Sequence, residues 1–431
     1  MLNKIKTRRA LVGVVGLGYV GLPLALEVGK AGFRVTGVDL DKSKIKALRA
    51  GVSYICGVDH DELTSAVNSG RINFTSDYSS LADVDIIDVA VPTPLSKSKT
   101  PDVSCIIKAV KGIKTYFKPR KLVILESTTY PGTTRELVVN ELSAAGFMPD
   151  EDFYAAFSPE RVDPGNKTYG IKNTPKVVGG ASSTSAELAA AFYECFIDRV
   201  VTVNSCEEAE MCKLLENTFR AVNIGFINEL TMMCDKMGIN IWNVIEAAKT
   251  KPFGFMPFYP GPGIGGHCIP LDPVYLSWKA KQYGFYNRSI ELASDINENM
   301  SAFTVDKLLR IMNKHKKLLN GARVLLLGMA YKSDVNDIRE SPALTIYEKL
   351  KDIGADVGYY DPYIMSFMDS EGRKVAGLKE MDPESLRDAD VVIILTAHKV
   401  FDYNCILENA RLIFDARNAF QGLAHDKIEY L

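Results

Sequence analysis

The 431-residue sequence has no surplus of charge of either sign: 51 Lys and Arg stand against 53 Asp and Glu, a net charge of −2. Without a basic excess, nothing draws the chain to nucleic acid or to an anionic membrane surface. Histidine is scarce, at five residues, and the eight cysteines (Cys56, Cys105, Cys195, Cys206, Cys212, Cys234, Cys268 and Cys405) form no Cys-x-x-Cys pair. A disulfide framework, a zinc site or another metal centre is therefore not expected, and a reducing cytoplasm suits the thiols. A long unbroken apolar run is missing too. Residues 10–26 carry no charge and follow Lys4, Lys6, Arg8 and Arg9, which is the outline of a signal peptide or anchor. However, Gly13, Gly16, Gly18, Gly21 and Pro23 interrupt the run and Glu27 ends it. Strand, phosphate loop and helix explain it better, and a cytoplasmic chain with no membrane partner is expected.

What is present centres on one stretch, Tyr259 to Pro273, with four glycines and four prolines around the thiol of Cys268 and the carboxylate of Asp272. Glycine allows close approach to the main chain, and proline fixes φ and removes donors. Their alternation describes a shaped, rigid loop that can present a cysteine to a substrate. A long interdomain turn with a merely buried cysteine is the plainer alternative.

At this length two to three domains are expected. Ala10–Val15 reads as a central parallel strand, followed at once by Gly16-Leu-Gly18-Tyr-Val-Gly21, a helix over 22–30 and a second strand, Phe33–Val38, ending at Asp39. This is a dinucleotide fingerprint in its required context. Gly16 makes the tight turn, Gly18 lets a pyrophosphate approach the backbone, and Gly21 lets helix and strand pack. Asp39 is placed to accept from ribose hydroxyls and favours NAD over NADP by repelling a 2′-phosphate; Lys44 offers a further polar contact there. Further strands over 84–91 and 121–125 end in Pro92-Thr93-Pro94 and in Glu126-Ser-Thr128-Thr. Thr93 and Thr128 read equally as cofactor or water contacts and as strand-end caps. A strand over 154–157 runs into Ser158-Pro-Glu160-Arg161, which suits a site or a surface ion pair.

From 207 to 237 the spacing of Met211, Leu214, Leu215, Thr218, Phe219 and Val222 is helical. Such a helix is long enough to bridge two domains and to pack on its copy in a dimer. Lys213 and Asn217 share one of its faces; by themselves they read as solvated helix surface. Helices over 242–249 and 274–281 flank the thiol loop, and another is predicted over 301–317. The first pattern then returns in weakened form. A strand over 322–327 leads to Gly328-Met-Ala330-Tyr-Lys332, a helix over 341–353, a strand over 357–360 ending at Asp361, and strands over 391–395 and 412–414. With Ala330 at the second glycine position and Lys332 added, a nucleotide-phosphate site is expected here rather than a second NAD site.

Together these motifs resemble the nucleotide-sugar 6-dehydrogenases, the UDP-glucose, GDP-mannose and UDP-N-acetylhexosamine dehydrogenase family. The resemblance covers nearly the whole chain: 16–21, Glu-Ser-Thr at 126–128, Ser-Pro-Glu at 158–160, Lys213 with Asn217, Gly-Gly-His-Cys-Ile-Pro-Leu-Asp at 265–272, 328–332, and Asp-Ala-Arg at 415–417. It implies an α/β fold of two Rossmann-like domains with open, mostly parallel sheets joined by a long central helix. An NAD-binding domain would span 1–203, a helical dimerisation region with the cysteine loop 204–303, and a UDP-sugar-binding domain 304–431. It implies a homodimer through the central helix, open to higher assembly.

The implied chemistry is a four-electron oxidation of a sugar C6 hydroxyl, feeding surface polysaccharide synthesis. A first hydride loss gives an aldehyde, Cys268 attacks it as thiolate, a second hydride loss gives a thioester, and water releases the acid. By the resemblance, Lys213 and Asn217 stabilise oxyanion charge, Asp272 and Thr128 position the water, and Glu160 accepts a proton. Gly16, Gly18, Tyr19, Val20, Gly21, Asp39, Lys44, Pro92, Thr93, Thr128 and Arg339 would contact NAD. Glu160, Arg161, Lys213, Asn217, Tyr259, Gly263, Gly265, Lys332 and Arg417 would contact the UDP-sugar. The UDP-glucose branch has lysine where this chain has Leu271. With His267, the run 158–164 and the run 257–263, that resembles the UDP-N-acetylglucosamine branch.

A two-electron hydroxyacid dehydrogenase of the 6-phosphogluconate type would share the first fold but needs neither thiol loop nor second sheet. Tyr275-Leu-Ser-Trp-Lys279 imitates a short-chain dehydrogenase or epimerase motif but lies far from the dinucleotide loop. A non-enzymatic NAD-binding regulator is the remaining alternative.

Overall fold

The computed structural model describes residues 1–55, 58–96, 99–163, 166 and 168–431. Cys56 and Pro164 lie outside the described residues. The chain divides into two compact units, Met1–Glu216 with Val274–Phe285, and Asn217–Pro273 with Tyr286–Leu431. The division falls inside two helices, Cys206–Met237 and Asp272–Gln282.

The first unit is built on an eight-stranded sheet of order β3-β2-β1-β4-β5-β6-β7-β8. Its strands are β1 (Leu11–Val15), β2 (Arg34–Val38), β3 (Ile72–Thr75), β4 (Ile86–Val89), β5 (Lys121–Leu125), β6 (Phe153–Phe157), β7 (Lys176–Gly180) and β8 (Val200–Val203). All neighbours run parallel except β6 and β7. Strands β4 and β5 are buried along their whole length, as continuous Val/Ile/Leu runs in a sheet covered on both faces must be. The strand order reverses between β1 and β4, and ligands of such sheets bind at that crevice, outside the carboxyl ends of the strands. The residues expected to contact NAD from 16–21 and 92–93 lie at those ends.

The second unit holds a five-stranded parallel sheet of order β10-β9-β13-β14-β15: β9 (Arg323–Leu327), β10 (Asp356–Tyr360), β13 (Val391–Ile394), β14 (Ile413–Asp415) and β15 (Ile428–Tyr430). A hairpin of β11 (Ser366–Met368) and β12 (Lys374–Ala376) stands apart from it. The α/β architecture with mostly parallel sheets is as expected. The helix expected over 301–317 in fact runs from Arg288 to Lys314. Its buried face includes Ala293, Asn297, Ser301 and Thr304, residues too small or polar to register as an apolar stripe. The helix Cys206–Met237 has 32 residues and is roughly 48 Å long at 1.5 Å per residue. Among the described residues, no helix is long and apolar enough to cross a membrane.

Candidate functional site

In the first unit, the three loop glycines have three different reasons to be glycine. Gly16 has φ +91°, and a Cβ there would lie 2.5 Å from the Ala90 carbonyl oxygen. A Cβ on Gly21 would meet the Gly16 carbonyl oxygen at 1.8 Å, so the helix Gly21–Lys30 can start against the strand only without one. A Cβ on Gly18 would meet nothing within 4 Å. Gly18 is thus not required by the fold; it leaves main chain exposed at the opening of a helix, where a pyrophosphate suits the backbone N–H groups. Tyr19, exposed, and Val20, the residue before the helix, complete the loop.

Asp39 follows β2 and accepts from the Leu17 amide at 3.0 Å and the Asp41 amide at 3.0 Å, with Lys44 Nζ 3.5 Å away. The carboxylate thereby ties the glycine loop to the second strand. It retains acceptor capacity, because an ionised carboxylate has about four lone-pair sites. These residues fit the adenosine half of a dinucleotide. Thr93 donates its hydroxyl to the Thr128 carbonyl at 2.7 Å, and its own carbonyl accepts from the Tyr275 hydroxyl at 2.9 Å. For the Thr93 side chain this is strand-end capping; Thr128 is half-buried beside it, and Pro92 is exposed. Tyr275 is buried and Lys279 pairs with Glu136 at 2.7 Å, so the dehydrogenase-like Tyr275…Lys279 spacing is consumed by packing.

Glu160 and Arg161 do not form the ion pair with each other that one reading allowed. Arg161 reaches Glu216 at 2.6 Å and the Pro175 carbonyl at 2.6 Å. The Glu160 carboxylate accepts from the Arg161 and Val162 amides at 2.9 and 2.6 Å and stands 3.5 Å from Lys176 Nζ. Its backbone carbonyl accepts from Lys213 Nζ at 2.6 Å. Lys213 is 9% exposed and Asn217 7%. The expectation of solvated helix surface is overturned for both, because their face of the helix Cys206–Met237 is covered.

In the second unit, Asn217 donates to Asp272 Oδ2 at 2.5 Å, and both side chains are buried. Asp272 opens the helix Asp272–Gln282, and the Cys268 carbonyl accepts from the Leu271 and Asp272 amides at 3.1 and 2.9 Å. Cys268 therefore sits on the turn that starts a helix, half-buried, with a thiol in no disulfide. Burial and the Arg339 charge push the neighbouring His267 below the usual imidazole value, so it is neutral near pH 7.

The glycines of this loop are pressed by the protein itself. A Cβ on Gly265 or on Gly266 would lie 2.7 Å from Tyr331, one on Gly261 2.3 Å from the Arg417 guanidinium, and one on Gly263 3.0 Å from Pro342. The loop's shape is therefore fixed by the segment 331–342, which carries Lys332 and Arg339. Arg339 is clamped by Asp337 at 2.7 Å. Arg417 donates to the Leu395 carbonyl at 2.7 Å; burial lowers it to about 10, which leaves it cationic. Tyr259 is exposed and reaches Glu246 at 3.0 Å.

Three anchors of the thiol loop were not foreseen. Asn228 accepts from the Gly261 amide at 3.2 Å and donates to Asn297 at 2.8 Å, and Ser301 donates to the Pro262 carbonyl at 2.9 Å. The available signal was an asparagine on an otherwise apolar helix face, since a buried polar side chain must have a partner.

Comparison with known proteins agrees with this geometry. Residues 10–197 match the NAD binding domain of the UDP-glucose/GDP-mannose dehydrogenase family, 207–299 its central domain and 325–422 its UDP binding domain. The UDP-N-acetyl-D-glucosamine 6-dehydrogenase of Pseudomonas aeruginosa is 36% identical over 416 residues, 96% of each chain. The structure of the UDP-D-ManNAc dehydrogenase of Pyrococcus horikoshii superposes with a TM-score of 0.88 at 31% identity, covering 97% of this chain and 98% of that one. The UDP-N-acetyl-mannosamine dehydrogenase Cap5O of Staphylococcus aureus gives 0.84 at 31% identity over 98% of both. An open glycine loop tied to Asp39, a thiol loop locked against the segment 331–342, and matches along nearly the whole chain lead to one conclusion: this chain belongs to the UDP-glucose/GDP-mannose dehydrogenase family and is an NAD-dependent UDP-sugar dehydrogenase.

Proposed function

We propose that the enzyme oxidises C6 of a UDP-N-acetylhexosamine, UDP-N-acetylglucosamine first, to the uronic acid through a Cys268 thioester. The observation that carries the chemistry is the position of Cys268 on the helix-opening turn beside the buried Asn217–Asp272 pair. A helix start favours a thiolate, and the thiolate is the nucleophile. NAD, when bound, supplies the hydride acceptor for each oxidation. Cys268 adds to the aldehyde carbon, Lys213 and Asn217 stabilise developing oxyanion charge, Asp272 and Thr128 orient the hydrolytic water, and Glu160 takes a proton.

NAD is held by residues up to 203, with Gly16, Gly18, Gly21 and Asp39 foremost. The thiol is presented by 204–303, and the UDP moiety is bound by 304–431 with Lys332 and Arg417 as counter-charges. The chain also works as a homodimer through the helix Cys206–Met237. Support comes from Met211, Leu215, Phe219, Phe226, Met233 and Met237, large apolar side chains exposed at helical spacing on that helix, because an exposed patch of this kind marks an association surface.

For the sugar, Leu271 and the 36% identical P. aeruginosa relative favour the N-acetylglucosamine substrate. UDP-N-acetylmannosamine is the second reading, favoured by the P. horikoshii structure. Side-by-side kinetics with UDP-glucose and with the N-acetylated gluco, galacto and manno sugars test it. The expected result is two NADH per sugar and fastest turnover of UDP-N-acetylglucosamine. Fastest turnover of the manno sugar selects the second reading, and preference for UDP-glucose refutes both.

A further inference from the structure

A second cluster of titratable groups lies inside the first unit, behind Glu160. Asp88 on β4, Glu126 just after β5, Lys176 at the start of β7 and Tyr193 at the end of the helix Ser183–Tyr193 are all buried. The Tyr193 phenol oxygen lies 2.9 Å from Asp88 Oδ2 and 2.5 Å from Glu126 Oε1. A phenol has one proton and can donate to only one of them. The other contact needs its proton from the carboxyl side.

The neighbours decide which acid carries it. Glu126 Oε1 is 2.9 Å from Lys176 Nζ, whose ammonium favours a carboxylate there. Asp88 has no cation within bonding distance among the described contacts. Each acid leaves one buried oxygen unpartnered, Asp88 Oδ1 and Glu126 Oε2, so it is the Lys176 ammonium on Glu126 that tells the two apart. Burial, then the Glu126 charge, push Asp88 well above the usual carboxylate range, while Lys176 pulls against the burial that raises Glu126.

The hydrogen bonds then run in one direction. The Asp88 carboxyl donates to Tyr193, Tyr193 donates to ionised Glu126, and Lys176 stands between Glu126 and Glu160. Glu160 in turn fixes Lys213 through its carbonyl. We propose that Asp88, Tyr193, Glu126 and Lys176 are a positioning array that works with Asp88 protonated and holds Glu160, and through it Lys213, in place for the oxidation. This rests on the roles proposed above for Glu160 and Lys213.

The test uses the purified full-length enzyme with NAD and UDP-N-acetylglucosamine or UDP-N-acetylmannosamine, whichever turns over faster. Lys176→Met and Glu126→Gln are expected to lower kcat roughly 100-fold, as about 1 Å of misplacement can, with KM for NAD little changed and partial rescue by Lys176→Arg. Asp88→Asn keeps a donor to the phenol oxygen and should retain most of kcat. Equal loss in Asp88→Asn and Glu126→Gln overturns the proton assignment. Lys213→Ala separates the two readings. If it remains active, the site reading fails; if it is inactive while Lys176→Met has wild-type kcat, the array has no positioning role. Should Lys176→Met not fold, infrared spectra in D2O still decide. The wild type should show a protonated-carboxyl C=O band that Asp88→Asn removes, and its persistence in Asp88→Asn overturns the inference.

Discussion

Replacing Gly18 and Gly21 separately by alanine should divide cofactor binding from folding. The Gly21 Cβ would sit 1.8 Å from the Gly16 carbonyl oxygen, where ordinary contact begins at 3.4 Å. Either the helix or the strand end must move by roughly 1.6 Å, and overpacking of backbone on backbone costs about 3 kcal/mol or more. For a unit of this size that lowers Tm by about 6–12 °C. Gly18 lies outside the positive-φ region, and its Cβ has nothing within 4 Å. Gly18→Ala should therefore melt within about 2 °C of wild type. Its methyl group, however, occupies the space a pyrophosphate needs, and a loss of about 1.4–2.8 kcal/mol raises Kd for NAD roughly 10- to 100-fold. The assay is thermal melting of both variants with and without NAD, backed by titration calorimetry. At about 100 times the wild-type Kd, NAD stabilises wild type by about 2.7 kcal/mol, and Gly18→Ala should keep only about 0.4–1.4 kcal/mol of that. Wild-type NAD affinity in Gly18→Ala, or equal destabilisation of the two variants, would refute the assignment of the loop.

Three further outcomes are expected. If the thiol serves only to form the thioester, Cys268→Ala should form no uronic acid yet reduce the synthetic 6-aldehyde with NADH; near-normal acid formation would mean that aldehyde hydration suffices. Leu215→Glu places a charge in the exposed apolar stripe of the helix Cys206–Met237, where Leu215 is 59% exposed, and should turn a dimer into a monomer in light scattering; an unchanged mass assigns the interface elsewhere. His267 is held below its ordinary value of 6.5, so below that pH the unfolded chain binds the proton the folded chain refuses. Stability should then fall as the pH drops, by up to about 1.4 kcal/mol per unit, with a shallower fall in His267→Gln; identical pH slopes would remove His267 as the cause.

The strands that were legible are short, mainly apolar runs that follow a charged first residue. Lys121–Leu125 was placed to the residue, and Arg34–Val38 and Arg323–Leu327 to within one. Strands β3, β7, β8, β11, β12 and β15 were not foreseen. Strand β7 shows why: it ends in Gly179 and Gly180, whose added Cβ atoms would strike the Ser205 and Ser182 carbonyl oxygens at 2.0 and 2.4 Å. Glycine does not signal a strand; here it is required by the close approach of other backbone. The same holds for the site. Cys268 stood out from its loop, whereas Lys213 and Asn217 were named only through the family resemblance; by spacing they read as solvated surface, and their burial comes from packing that no spacing encodes. The anchors Asn228 and Asn297 carry no motif.

The two halves of the chain share a strand–turn–helix–strand plan but differ in what the acid after the second strand is bonded to. Asp39 accepts two backbone amides and keeps lone pairs for a ligand. Asp361, at the same place after β10, accepts from the amides of Met329, Ala330, Tyr363 and Ile364 and lies 3.1 Å from His398 Nε2. His398 Nδ1 accepts from the Asp334 amide at 3.0 Å, so in the neutral ring Nε2 bears the hydrogen and donates it to Asp361. Five donors consume the carboxylate, and burial seals it. It can offer nothing to a ribose. What it does is pin the 329–334 segment, joined by Thr396 to the Ala330 carbonyl at 2.6 Å and Ser333 to the Ala397 carbonyl at 2.6 Å. Lys332 rides on that segment. The acid that keeps open lone pairs in the first half is a closed structural pin in the second, which fits a half whose matching family domain binds UDP rather than NAD.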